Sequence, residues 1–191
     1  DFISVTFGAG GSQNCDNSVA IAKRVKETCG VESVIHMPAL NMTKKDAEYV
    51  LTQFRGAGIE NILALRGDKV DGIEPANEFL HASDLIEFIR EFDEKQNDGK
   101  KFNILGACYP ELHPESLDVY SDMNGLKRKV DAGATHLLSQ LFFDNKEYFR
   151  FVERCRLVGI TVPIEAGIMP ATNKKSIERV KRMVEQYESG L

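Results

Sequence analysis

Apolar positions along this chain follow two alternating rhythms. Short β-rich apolar runs, Phe2–Phe7, Val34–Met37, Asn61–Leu65, Asn103–Cys108, His136–Phe142 and Val162–Ile168, are each followed by a polar loop and then by a segment of helical period. Several runs are apolar at consecutive positions, as expected of parallel strands buried on both faces. Ala47, Val50, Leu51 and Phe54 fall at i, i+3, i+4 and i+7, the stripe of an amphipathic helix. Leu85, Ile86, Phe88, Ile89 and Phe92 repeat that stripe, Phe151, Val152 and Cys155 mark a third, and Ile177, Val180, Val184 and Tyr187 a last one.

Start and stop signals agree with these elements. Thr43 with Asp46, and Asp144 with Glu147, have capping-box spacing, which lets side-chain oxygens satisfy the first free N–H groups of a helix. Gly56-Ala57-Gly58-Ile59, Ala132-Gly133-Ala134 and Val158-Gly159-Ile160 each end a helical segment just before a strand, where a glycine can adopt positive φ. The polar stretch Glu94–Lys101 reads as a mobile surface loop, since a strand resumes at once. β/α units in unbroken succession predict a parallel sheet with right-handed helical crossovers. An open doubly wound sheet usually carries a binding fingerprint at its first turn, but Gly8-Ala9-Gly10-Gly11-Ser12 lacks the G-x-G-x-x-G spacing and has no P-loop lysine. The reading is therefore α/β: an incomplete (β/α)8 TIM barrel of about six consecutive units, forming one partial domain over residues 1–191.

Composition narrows the class. The 191 residues carry 24 Lys and Arg against 29 Asp and Glu, a net charge of −5, and no basic stripe longer than Lys127-Arg128-Lys129. That argues against a nucleic-acid partner. No apolar run approaches the length of a membrane span, and no charged-then-apolar leader opens the chain, so a cytoplasmic protein is expected. Asp1 stands where a Met would open a gene product, and Phe2 already lies in a strand-like run, so the start reads as cut. Four cysteines, Cys15, Cys29, Cys108 and Cys155, lie far apart with no C-x-x-C pair, which predicts reduced thiols rather than a disulfide framework or a zinc site. The histidines have no metal-ligand spacing with a carboxylate, and no serine sits in a G-x-S-x-G elbow.

In a barrel, chemistry gathers where strand C-termini meet the βα loops. Those ends carry Thr6, then His36, then Arg66-Gly67-Asp68, then Tyr109, Glu111 and His113, then Gln140 and Asp144. Each has an ordinary alternative. His36 could cap its strand, Asp68 could be a turn aspartate, His113 could be held between Pro110 and Pro114, and Arg128-Lys129 could be solvated helix charge. Their convergence on one end after apolar runs outweighs the separate alternatives and suits a large planar ligand. His81 and His136 are read as structural.

The blocks Ser4-Val5-Thr6-Phe7-Gly8-Ala9-Gly10-Gly11, Asn61–Asp68, Tyr109-Pro110-Glu111-Leu112-His113-Pro114-Glu115, Leu126–Ala134, Gln140–Asp144, and Pro163 with Gly167-Ile168-Met169-Pro170, in this order and spacing, resemble the methylenetetrahydrofolate reductase family. The resemblance spans nearly the whole chain and corresponds to units two to seven of that family's eight-unit barrel. It implies FAD as cofactor and a pyridine nucleotide, NAD(P)H, as hydride donor. It implies reduction of 5,10-methylenetetrahydrofolate to 5-methyltetrahydrofolate in one-carbon and methionine metabolism. Matched position by position, Thr6, Phe7 and Ala9 fall in the first flavin-contacting stretch, where a tyrosine often replaces Phe7. His36, Arg66, Gly67, Asp68, Ala82, Tyr109, His113, Asp122, Arg128 and Lys129 match the rest of the FAD cradle. Arg128 and Lys129, taken as a basic pair at a helix start, suit the diphosphate. Asp68, the one matched catalytic position, also reaches the folate pterin, and Gln140 matches a residue shared by the folate and nucleotide sites.

His81 and Gly125 depart from the family pattern, so their contacts are not carried over. The family's general acid, a glutamate in F-E-F-F-P-P on the first barrel strand, has no match here, so the piece alone is expected to be inactive. With the first and last units absent, the edges Phe2–Phe7 and Val162–Ile168 are left unpaired, so it is also expected to be poorly stable. Two other readings stand beside this one: a non-catalytic flavin- or folate-binding module on a barrel scaffold, and an unrelated phosphate-binding barrel supported only by Asn173-Lys174-Lys175. The electron donor and the oligomeric state, homo-oligomer included, stay open.

Overall fold

The computed structural model describes residues 1–7, 15–68, 72, 74–169, 173–175, 177 and 178. Its elements run β1 (Phe2–Val5), α1 (Cys15–Cys29), β2 (Glu32–Pro38), α2 (Lys44–Gly56), β3 (Asn61–Leu65), α3 (Ala82–Gln96), β4 (Asn103–Cys108), α4 (Val119–Asp131), β5 (His136–Ser139), α5 (Asn145–Leu157) and β6 (Ile164–Glu165). All neighbouring strands pair in parallel, in the order β1-β2-β3-β4-β5-β6. Six strands curve as a half-barrel with helices outside, the incomplete β/α barrel expected from the pattern.

Alternation along each strand divides the core. Ile35, Met37, Ile62, Ala64 and Ile104 face outward and pack with Val50, Leu51, Phe54, Leu85, Ile86 and Ile89 of α2 and α3. Cys108 and Leu137 do the same with Met123 and Leu126 of α4 and Phe151 and Cys155 of α5. The inner face is a smaller cluster, with Val34, Leu63 and Leu105 buried beside Phe2, Leu65 and Leu138. All four cysteines are free thiols, as expected.

Several boundaries differ from the sequence reading. β1 ends at Val5, and Phe7 turns outward into the core, edge-on to Phe54 at 6.4 Å between ring centroids. β5 stops at Ser139: Gln140 N still reaches the Cys108 carbonyl of β4 at 2.7 Å, but Leu141 N turns to Gln140 Oε1 at 2.8 Å. Phe142 departs with it and stacks on Tyr148 at 4.8 Å. β6 shrinks to Ile164–Glu165, since Pro163 has no N–H to give and Gly167 N donates to Ser139 Oγ at 2.8 Å. Thr43 and Asp46 form the expected reciprocal box. Asp144 caps α5 through Lys146 N alone, because the Glu147 carboxylate accepts from Arg150 instead. Gly58, Gly133 and Gly159 take φ of 71°, 119° and 80°, as the stop signals required. Most of the last amphipathic stripe, including Val180, Val184 and Tyr187, lies outside the described residues.

The stretch Glu94–Lys101 is tied down rather than mobile. α3 continues to Gln96, and Arg55 of α2 forks onto Asp98 at 2.8 and 2.7 Å and donates to the Lys100 carbonyl at 3.3 Å. The same guanidinium reaches Asp93 at 2.5 Å and lies over the rings of Phe92 and Phe102 at 5.5 and 5.0 Å. The Asp93 side chain is fully buried and also accepts from Arg90 at 3.1 Å and from Phe102 N at 3.0 Å. Removing that carboxylate leaves buried cationic donors without a partner. Asp93→Ala is therefore expected to cost about 3–5 kcal/mol, read as a lower urea midpoint at unchanged slope; a loss under about 1 kcal/mol would contradict this account of the α2–α3 clamp.

Candidate functional site at the strand C-termini

Parallel register carries every strand C-terminus to one rim, and the βα loops there enclose a cleft of about 680 Å³. From β2 comes His36, and from the end of β3 come Arg66, Gly67 and Asp68. The start of α3 contributes Ala82, and the β4 end and its loop contribute Tyr109 and His113. Asp122, Arg128 and Lys129 line it from α4, and Gln140 from the end of β5. All of these were expected from the sequence. Thr6 and Phe7 do not line the cleft: Thr6 is exposed, its carbonyl accepting from Ser18 Oγ at 3.1 Å, and Phe7 belongs to the outer core. Ala9 lies outside the described residues.

The rim is stitched by backbone. Ala39 N and Leu40 N both donate to Arg66 O, at 3.0 and 2.7 Å, and Gln140 N donates to Cys108 O at 2.7 Å. Gly67, at φ 86°, passes so close to β2 that an added Cβ would sit 2.8 Å from Pro38 Cβ. Only glycine meets both conditions.

Arg128 and Lys129 sit in the last turn of α4, not at a helix start as the sequence reading had it. There their charge complements the helix C-terminus. Lys129 runs inward and donates to Ala107 O at 2.8 Å, and burial holds its ammonium below the ordinary lysine range. Counting back by helical turns from Lys129 gives Leu126, Gly125 and Asp122, all on the cleft. This periodicity was in the sequence and would have found the face whole. Above Gly125 a Cβ would meet only Arg128 Nη2, at 3.9 Å, so a ligand can approach that helix backbone closely. Sequence reasoning also missed Ser83, Ser116, Ser139 and His81, which share the rim. Their signal is adjacency to strand ends and helix starts.

Electrostatically the cleft is mixed. Arg66 forks onto Glu115 at 2.5 and 2.7 Å, which holds its guanidinium above the usual range. Burial raises the Asp122 carboxyl, which accepts from Ser116 Oγ at 3.3 Å. His36 Nε2 and Ser4 Oγ are hydrogen-bonded at 2.6 Å. Burial pushes His36 and His113 below the ordinary 6.5. No group of His, Cys, Asp and Glu among the described residues has the arrangement of a metal site. No described helix is long and apolar enough to cross a membrane.

Residues 1–188 match the family model described as methylenetetrahydrofolate reductase. The chain belongs to the methylenetetrahydrofolate reductase family. It is 39% identical to the "Probable methylenetetrahydrofolate reductase (NADH)" of Oryza sativa, covering 94% of this chain and 32% of that protein. It is 36% identical to the "5,10-methylenetetrahydrofolate reductase" of Escherichia coli K12, covering 95% and 58%. To the "Probable methylenetetrahydrofolate reductase (NADPH)" of Caenorhabditis elegans it is 37% identical, covering 95% and 28%. The chain thus spans about a third of its plant relatives and somewhat over half of the bacterial ones. Among solved structures, an oxaloacetate acetylhydrolase aligns at TM-score 0.59 and 10% identity, over 100% of this chain and 75% of that one. A 2,3-dimethylmalate lyase aligns at 0.57 and 9%, over 97% and 68%. At such identities these two show the barrel-type fold alone.

The depressed imidazoles give a pH prediction. A histidine whose folded pKa lies below its unfolded value adds stability that is present above about 6.5 and is lost as pH falls toward the folded value. NMR titration should place the His36 midpoint below 6.5. Unfolding free energy should fall with acidification below that pH, with a shallower slope in His36→Gln. A His36 midpoint at or above 6.5 would contradict the burial account.

Proposed function

We propose that the intact protein containing this chain is a flavin-dependent methylenetetrahydrofolate reductase, and that these residues form its FAD cradle. The observation that carries the reading is the convergence of the family-matched residues of β2, β3, α3, β4, α4 and β5 on one cleft. The donor set fits the cofactor: Arg128 and Lys129 offer cations for a diphosphate, while Leu63, Leu65 and Leu126 provide apolar wall for a planar ring. The open space above Gly125 admits such a ligand against the helix. When bound, FAD supplies the acceptance of hydride from the nucleotide and its delivery to the folate; the protein supplies placement and electrostatics.

On this reading Lys129 and Arg128 hold the phosphates, Arg66 and Gly67 bound the ribityl and ring region, and Asp68 and Gln140 orient the pterin. The pyridine nucleotide donor is proposed from the relatives' names, which mention NADH and NADPH. Protonating the folate nitrogen requires an acid, and no residue of this chain matches the family's F-E-F-F-P-P glutamate. The rim carboxylates Glu115 and Asp122 are already bonded to Arg66 and Ser116. These 191 residues alone are therefore proposed to lack reductase activity.

Two measurements on the intact protein follow. Arg128→Ala should weaken FAD about ten- to a hundredfold, the loss of one charge-assisted bond of ~1.5–3 kcal/mol. Flavin fluorescence quenching reads this, and unchanged affinity would remove Arg128 from the cradle. Asp68→Asn should retain FAD yet slow the folate half-reaction more than the nucleotide half-reaction, as stopped-flow flavin absorbance separates them; equal slowing would contradict its pterin role.

A further inference from the structure

His113-Pro114-Glu115, in the loop after β4, contains a contact that decides where a proton sits. The backbone N–H of Glu115 donates to Nδ1 of His113 at 3.1 Å. A backbone amide can only donate, so Nδ1 presents its lone pair, and the neutral ring carries its proton on Nε2. Several contacts hold that turn in place. Ser116 N donates to His113 O at 2.9 Å, Ser116 Oγ donates to Asp122 at 3.3 Å, and the imidazole stands edge-on to Tyr109 with centroids 4.5 Å apart. A doubly protonated ring would set one N–H against another at Glu115. Burial and the neighbouring Lys129 and Arg66 act the same way, outweighing Glu115 and Asp122, and keep the ring neutral.

We propose that the Glu115 amide fixes His113 as its Nε2–H tautomer, so that Glu115 is a positioning residue and His113 a neutral donor to an anionic oxygen of the bound ligand. Resting on the flavin reading above, that oxygen belongs to a phosphate of FAD. The choice of an anionic oxygen comes from the wall itself: Lys129 lines the same cleft as His113, so an anion bound there meets an ammonium as well as the imidazole N–H. Glu115 thereby acts twice at the rim: its amide orients His113, and its carboxylate engages Arg66. That second contact engages Arg66, whereas Lys129 and Arg128 carry no carboxylate bridge among the described residues.

The test uses the intact protein with 15N-labelled histidine and needs no activity. At neutral pH the His113 ring should show a pyridine-like Nδ1 and a pyrrole-like Nε2. Glu115→Ala, which keeps the amide, should preserve that pattern, and Glu115→Pro, which removes it, should yield a tautomer mixture. A pyrrole-like Nδ1, or a mixture in the wild type, would overturn the proposal. Binding gives the second arm. A glutamine amide can stand in for Nε2–H but an asparagine amide cannot, so His113→Gln should hold FAD within about threefold while His113→Asn weakens it at least tenfold. Riboflavin, which lacks phosphate, should bind both variants alike. Equal loss of FAD in both variants overturns the donor role, and an equal loss of riboflavin in His113→Asn overturns the phosphate assignment. A wild type that shows the NMR pattern and binds no FAD refutes the flavin reading while supporting the fixed tautomer.

Discussion

Parallel strand register is the constraint on which the rest of this molecule depends. Val34 pairs with Asn61, Asn61 with Asn103, and Leu105 with His136, so each strand carries its last residues to the same rim. A one-residue slip would exchange the inner and outer faces of a strand. His36 would then point at the helices, and Met37 into the cleft. What blocks such a slip is the volume on the outer face: Ile35, Met37, Ile62 and Ile104 are all buried against α2 and α3. At roughly 1.5–3 kcal/mol for each large apolar side chain, register is defended far more strongly than any single rim contact. The site is precise because the core behind it is apolar.

On that scaffold the rim contacts do finer work. Arg66 and Glu115 neutralise one another between adjacent βα loops, and as a half-exposed pair they contribute little to stability. Their value is geometric, since a forked guanidinium has few positions available. Lys129 is the opposite case. Its ammonium is buried against the Ala107 carbonyl and held below its ordinary pKa, an environment that an approaching anion would relieve. Burial likewise raises Asp122 and lowers His113, so both groups are shifted toward their neutral forms beside the cations of α4.

Much of this was legible in the sequence. Alternation of apolar strands and amphipathic helices gave the barrel-type order, and reading strand ends gave His36, Arg66, Asp68, His113 and Gln140. Phe7 was misplaced for a reason the sequence also contains: Ile3, Val5 and Phe7 share one parity of β1, which is the outer face. The α4 face was half-read because Arg128 and Lys129 were assigned to a helix start, although Asp118 is the cap and accepts from Ser121 N. Other features were out of reach. Arg55 meets Asp93 and Asp98 across 38 and 43 residues, and no local pattern announces such a pair. The short β6 was hidden too, since Gly167 spends its N–H on a side chain from β5.

One cleft at the strand C-termini, walled by α4, is proposed to hold a flavin dinucleotide. A crystal structure of the intact protein grown with FAD tests it most directly. The diphosphate is expected against Arg128 and Lys129, the His113 Nε2 within hydrogen-bond distance of a phosphate oxygen, and the ring system beside Asp68. FAD bound elsewhere, or an α4 wall left without a ligand in crystals saturated with it, would contradict the claim.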